Sequence, residues 1–168
     1  MAAAITSAAR SADVEYLVRN AMTNGYQISS LLAPPVYAAF LLAKRGRGTL
    51  SINHLLRATW LGGLAGTAGS GGLAYAWYSS CNEDVLRSKR LKAAYDTDRI
   101  RADDHATIGA VLSSVLTPGI FWKRANVVNL VLGGAGLGSS IGLLTHYGRS
   151  LTGDSPSKLD APVIPVVE

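Results

Sequence analysis

The most regular feature of the chain is where charge is missing. Four windows hold no Asp, Glu, Lys or Arg: 20–43, 58–82, 105–122 and 125–148, of 24, 25, 18 and 24 residues. Together they cover 91 of the 168 residues, so all 27 charged side chains fall in the other 77. A water-soluble helix needs a polar or charged face, and four such windows argue against a soluble domain. A helix needs about 20 mostly apolar residues to cross roughly 30 Å of hydrocarbon. The pattern predicts an all-α integral membrane protein of about four transmembrane helices, near 28–43, 57–79, 105–122 and 126–148, arranged as two helical hairpins. The first window opens with Asn20, Thr23, Asn24 and Gln27, so its span is placed from Ile28 onward. The first and third windows are short enough to compete with interfacial or buried core helices.

Around this membrane domain, 28–152, the sequence places an N-terminal segment, 1–27, with a short amphipathic helix. A connector, 80–104, holds a surface helix with Asn82 as N-cap and Glu83 and Asp84 in its first turn, where acids favour the helix dipole. Leu86, Leu91, Tyr95 and Ile100 are expected to supply its apolar contacts, and Asp103 or Asp104 to cap the third span. The tail, 153–168, carries Pro156, Pro162 and Pro165 and is expected to be extended.

Glycine refines the picture. Fifteen of the 18 glycines lie inside the windows, six each in the second and fourth. A glycine inside a helix costs about 1 kcal/mol in water; between membrane helices small residues instead let backbones approach closely. Gly62, Gly66 and Ser70 recur every four residues, as do Gly134, Gly138 and Gly142, so each set lies on one helix face. These six positions are expected to be helix-packing surfaces, against each other or against other subunits. Pro34, Pro35 and Pro118 fall in the first and third windows. Each removes a backbone donor and kinks a helix, so those helices are expected to face protein as well as lipid.

The halves echo one another. Ala33-Pro34-Pro35-Val36, Lys44-Arg45 and Leu61-Gly62-Gly63 are followed by Thr117-Pro118-Gly119-Ile120, Lys123-Arg124 and Leu132-Gly133-Gly134. A repeated hairpin and coincidence in a low-diversity sequence account for this equally well. The two short loops carry Lys44, Arg45 and Arg47, and Lys123 and Arg124, with no acid; positive short loops are retained on the inner side of a membrane. The connector balances six basic residues against six acidic ones. The net charge of +5 is therefore mostly a topology signal, and no aromatic-interleaved basic patch points to nucleic acid.

Candidate chemistry is sparse. His54, His105 and His146 lack ligand spacing, and Cys81 is the single cysteine, which excludes a disulfide scaffold. No metal or cofactor is expected. Gly69-Ser70-Gly71-Gly72-Leu73-Ala74 fits a relaxed dinucleotide pattern, but it lies inside an apolar window and the next acids, Glu83 and Asp84, come too early. Asp103-Asp104-His105 resembles a fragment of a triad, yet sequence neighbours do not converge on a substrate. Apart from His105 and His146 near window ends, the windows hold no ionisable relay of the kind ion carriers use.

The stretch from Ala102 to Asp154 contains Asp103-Asp104-His105, Thr107-Ile108-Gly109, Phe121-Trp122-Lys123-Arg124, Asn129-Leu130-Val131-Leu132-Gly133-Gly134-Ala135-Gly136 and Thr145-His146-Tyr147-Gly148. It resembles the fungal NUXM-type accessory subunit of mitochondrial NADH:ubiquinone oxidoreductase (complex I), with a looser likeness back to about Leu31. The resemblance implies a multi-pass protein of the mitochondrial inner membrane, docked on the membrane arm of the respiratory complex. It implies no catalytic residues, redox centre, cofactor or small-molecule substrate. The partners it implies are other membrane-arm subunits and phospholipid. The arrangement of spans is also similar to the Tim17/22/23 family of inner-membrane translocase subunits, without that family's clean motifs, and a small-solute channel is a third reading.

Overall fold

The computed structural model describes residues 2–45 and 51–153 and is helical almost throughout. Helix α1 runs Ala2–Arg45, α2 Ile52–Ser79, α3 Glu83–Ala94, α4 Thr97–Phe121 and α5 Val127–Leu151. No strand occurs among the described residues. Helices α1 and α2 form one antiparallel hairpin and α4 and α5 another; α5 also packs on α2 and α1, and α3 leans on α1.

Several boundaries differ from the sequence expectation. The segment 1–27 and the first span are one continuous helix: from Ala2 to Arg45, α1 extends about 66 Å at 1.5 Å per residue. Its N-terminal half is held by tertiary partners that local composition does not reveal. Leu17 is buried, and Asp13 is ion-paired to Arg90 of α3. Arg10 Nη2 donates to the carbonyls of Ser79 (3.0 Å) and Cys81 (3.2 Å), at and just past the end of α2. A helix end leaves carbonyls without partners and carries partial negative charge, so the guanidinium suits both needs. Pro34, Pro35 and Pro118 lie inside α1 and α4 without ending them.

The connector does contain a surface helix, α3, with Asn82 at its N-cap position, Glu83 and Asp84 in the first turn and Leu86 fully buried. Tyr95 and Ile100, by contrast, are exposed. Helix α4 starts two turns earlier than 105. Its cap is Asp96, whose carboxylate accepts from the backbone N–H of Arg99 (3.1 Å), not Asp103 or Asp104. Helix α2 likewise begins at Ile52, a turn before its expected start. The expected tail beyond Gly153 lies outside the described residues.

Among the described residues, two helices are long and apolar enough to cross a membrane, α1 over Ser7–Lys44 and α5 over Val127–Leu151. Helices α2 and α4 fall short by that measure. In α2, glycine, serine, threonine and indole side chains dilute the apolar residues. In α4, Asp98, Arg99, Arg101, Asp103 and Asp104 occupy the first two turns.

The distribution of side chains is inverted relative to a soluble bundle. Among the described residues the buried polar ones are Gln27, Ser30, Thr59, Asn129, Ser139, Ser140 and His146, nearly as many as the eight buried apolar ones. Large apolar side chains point outward along all four long helices: Val36 of α1 is 64% exposed, Leu64 of α2 53%, Val115 of α4 72% and Ile141 of α5 61%. Soluble monomers rarely leave contiguous apolar surface of this extent.

Candidate functional site

The residues singled out in the sequence as packing surfaces line two helix seams. A side chain at Gly62 would meet Ala33 of α1, and one at Gly66 would meet Ser29 and the Gly25 carbonyl. Conversely, a side chain at Gly25 would meet Ser70 and the Gly66 carbonyl. The stripe Gly62, Gly66, Ser70 therefore faces α1. The second stripe faces α4. A Cβ at Gly134 would fall 2.7 Å from the Ser113 carbonyl oxygen, one at Gly138 2.5 Å from Ser113 Cβ, and one at Gly142 2.9 Å from Ala106 Cα. Real Cβ atoms do not approach that closely, so only hydrogen fits at these positions. The stripes thus do not meet one another. Each joins the two helices of its own hairpin, because a short turn makes the preceding helix the nearest surface.

Where the hairpins meet, a different set of glycines acts. A Cβ at Gly133 would lie 2.6 Å from Leu56 Cβ, and one at Gly136 2.8 Å from Thr59 Cγ2. Tyr26 packs over Gly63. Ser30 Oγ of α1 stands 3.4 Å from Ser140 Oγ of α5, and each hydroxyl also donates within its own helix, to the carbonyls of Gln27 and Gly136.

Two polar clusters close the bundle at its ends. At the turn end, Asn53 Oδ1 accepts from Asn129 Nδ2 (2.8 Å) and from the backbone N–H of Asn126 (3.2 Å), while Asn129 Oδ1 accepts from Trp60 Nε1 (3.0 Å). This network ties α2 to the start of α5 and satisfies a buried amide. At the opposite end, Gln27 Nε2 donates to Asp103 Oδ1 (2.8 Å), Arg99 Nη2 donates to Gln27 Oε1 (3.4 Å), and Arg99 pairs with Asp103 at 3.6 Å. His146 Nε2 donates to Asp98 Oδ1 (3.1 Å), and its ring centroid is 5.5 Å from that of His105. His105 Nδ1 lies 2.8 Å from the Arg101 carbonyl, which only accepts, so that nitrogen carries a proton.

Residue spacing along the chain does not reveal this second cluster. His105 and His146 are 41 residues apart, and only the pairing of α4 with α5 brings them together. Asp103 and His105 turn to different partners, so their adjacency forms no triad. Among the described residues no group of three or more His, Cys, Asp or Glu side chains could hold a metal ion. Cys81 is unpaired and half-buried.

Of the topology residues, Lys44 places its Nζ 4.9 Å from the centre of the Phe40 ring, and Lys123 and Arg124 are exposed in the turn before α5. Arg45 ends α1, and Arg47 lies outside the described residues. In chemical terms the arrangement offers close-packed seams and two polar clusters, the second of which leaves the buried Arg99 Nε without a hydrogen-bond partner. Comparison with protein-family models, curated proteins and solved structures found no match to this chain.

Proposed function

We propose that the protein is a non-catalytic scaffold of the mitochondrial inner membrane, crossing it four times as two hairpins and docking on the membrane arm of complex I to stabilise or assemble it. The observation that carries the membrane part is the inverted distribution of side chains. Lipid tails are as apolar as leucine, so a helix in a bilayer gains nothing by hiding large apolar residues and gains contact by turning small ones inward. Eleven of the twelve aromatic residues fit the same orientation. Tyr37, Phe40, Trp60, Phe121 and Trp122 belong to the turn end, and Tyr16, Tyr75, Trp77, Tyr78, Tyr95 and Tyr147 to the other; Tyr26 is the one between. Aromatic belts of this kind mark membrane–water boundaries.

On this reading α2 and α4, too polar to insert on composition alone, are carried by their hairpin partners. Most of their polar residues either face α1 and α5 or lie at the ends, and the outward Ser114 of α4 donates to its own helix at the Val111 carbonyl. The assignment to complex I rests on the resemblance of the C-terminal half to the NUXM-type accessory subunit. The scaffold role fits close-packed seams whose polar groups are engaged with one another. The test is native gel electrophoresis of solubilised mitochondria with an in-gel NADH dehydrogenase stain. Migration of the chain with the stained band is expected; migration with the protein-translocase components instead would replace this reading with the translocase one.

A further inference from the structure

Among the described residues the carboxylates are segregated along the axis of the molecule. The eight carboxylates among the described residues all lie at Asp13–Glu15 or between Glu83 and Asp104, at the end where α1 begins and α2 finishes. Ion pairs Arg19–Glu15, Arg90–Asp13 and Arg99–Asp103 form there. At the other end, where Asn53 joins the two hairpins, the described side chains include Lys44, Arg57, Lys123 and Arg124, all exposed, and no carboxylate. We propose that these four cations bind the headgroups of anionic phospholipids in the surrounding bilayer, a site that rests on the membrane reading above.

The geometry favours lipid over an acidic protein segment. The four cations belong to three separate elements, α1, α2 and the α4–α5 turn, so they ring the end of the bundle; a protein segment approaches one side, whereas a bilayer surrounds all of them. Each also stands beside apolar residues of the outer surface. Lys44 lies over Phe40, and Phe40 and Trp122 are both more than half exposed at that level. Arg57 sits a turn and a half inside α2, four residues before Leu61, which is exposed. From there a long side chain lays its methylenes along acyl chains and raises its guanidinium to the phosphates. Guanidinium donors match phosphate oxygens in a bidentate fashion. Each basic side chain near an anionic surface adds to the attraction.

The experiment is native mass spectrometry of the full-length protein in detergent, titrated with phosphatidylglycerol or phosphatidylcholine. The proposal predicts adducts with phosphatidylglycerol at concentrations at least about tenfold lower than with phosphatidylcholine. Lys44→Gln, Arg57→Gln, Lys123→Gln and Arg124→Gln together should abolish that preference. Arg87→Gln, Lys89→Gln and Lys92→Gln on α3 should leave it intact. Lys123→Gln with Arg124→Gln alone, confined to an exposed turn, should reduce it severalfold even if the fourfold variant misfolds. No preference in the unmodified protein, a preference that survives the turn variant, or equal loss in the α3 variant would overturn the site. An acidic protein partner would give the first of these results together with loss of that partner on affinity purification of the turn variant. Alkaline carbonate washing separates this outcome from failure of the membrane reading. A protein that stays in the pellet but ignores headgroup charge refutes the lipid site alone, whereas release into the supernatant refutes the membrane reading.

Discussion

At the scale of single residues, the account depends on what has no side chain. Gly25 and Gly66 face each other across the first hairpin, and Gly109 and Gly138 across the second, each beside the other's backbone carbonyl. Gly138→Leu must push α4 away from α5, and overpacking of this kind costs about 1–3 kcal/mol. Gly119 has open space around it, so Gly119→Leu should change little. Thermal unfolding of the two variants in detergent checks the contrast; equal midpoints would remove the seam assignment. The polar residues make a second prediction. Asn129 is 8% exposed, with one partner on each side of its amide. Asn129→Leu leaves Trp60 Nε1 and Asn53 without those partners, and the unpaired groups should cost about 1 kcal/mol or more. Denaturant titration followed by tryptophan fluorescence reads both the loss and the change around Trp60.

At the scale of elements, the molecule is one hairpin built twice. Gly25, Ser29, Ala33 and Pro34 correspond to Gly109, Ser113, Thr117 and Pro118 at a constant separation of 84 residues. Gly62, Gly66 and Ser70 correspond to Gly134, Gly138 and Gly142 at 72. The pairs occupy equivalent places in the two seams, so the echo visible around the prolines extends into the packing itself. The two hairpins meet mainly through α5, with Gln27 of α1 also bonded to Asp103 and Arg99 of α4. Ser30→Cys with Ser140→Cys, in a Cys81→Ser background, should therefore form an intramolecular disulfide under mild oxidation, since the native hydroxyls are 3.4 Å apart. Ser114→Cys, on the outer side of α4, paired with Ser30→Cys should not. The readout is mobility on a non-reducing gel. Much of this level was legible in advance. Absent charge marked the cores of the four long helices, Asn82-Glu83-Asp84 marked the start of α3, and the four-residue spacing marked both stripes. What was not legible depended on partners distant in sequence. Charges set the first half of α1 apart as a segment with only a short amphipathic helix and left the start of α4 in the connector, because Asp13, Arg99 and Asp103 find their counter-charges on other turns and helices. The mates of the stripes were equally hidden, since Gly25 and Gly109 are single glycines in otherwise ordinary windows.

At the scale of the whole molecule, polar residues bind the interior together and large apolar residues form the surface. In water such a surface would drive association, each square ångström of exposed apolar area costing about 25 cal/mol relative to burial. In a bilayer it is simply solvated. The two clusters, Asn53–Asn129–Trp60 at one end and Gln27–Arg99–Asp103 with Asp98–His146 at the other, then lie toward the boundaries of the slab, where polar groups are least costly. The most direct measurement is the accessibility of outward positions in the reconstituted protein. Nitroxide spin labels at Val36, Leu64, Val115 and Ile141, one on each long helix, are relaxed by oxygen, which concentrates in lipid, or by a water-soluble nickel chelate. The account predicts strong oxygen and weak nickel effects at all four sites. Strong nickel relaxation at Leu64 or Val115 would contradict the four-span membrane architecture, and strong nickel relaxation at all four would place the whole surface in water.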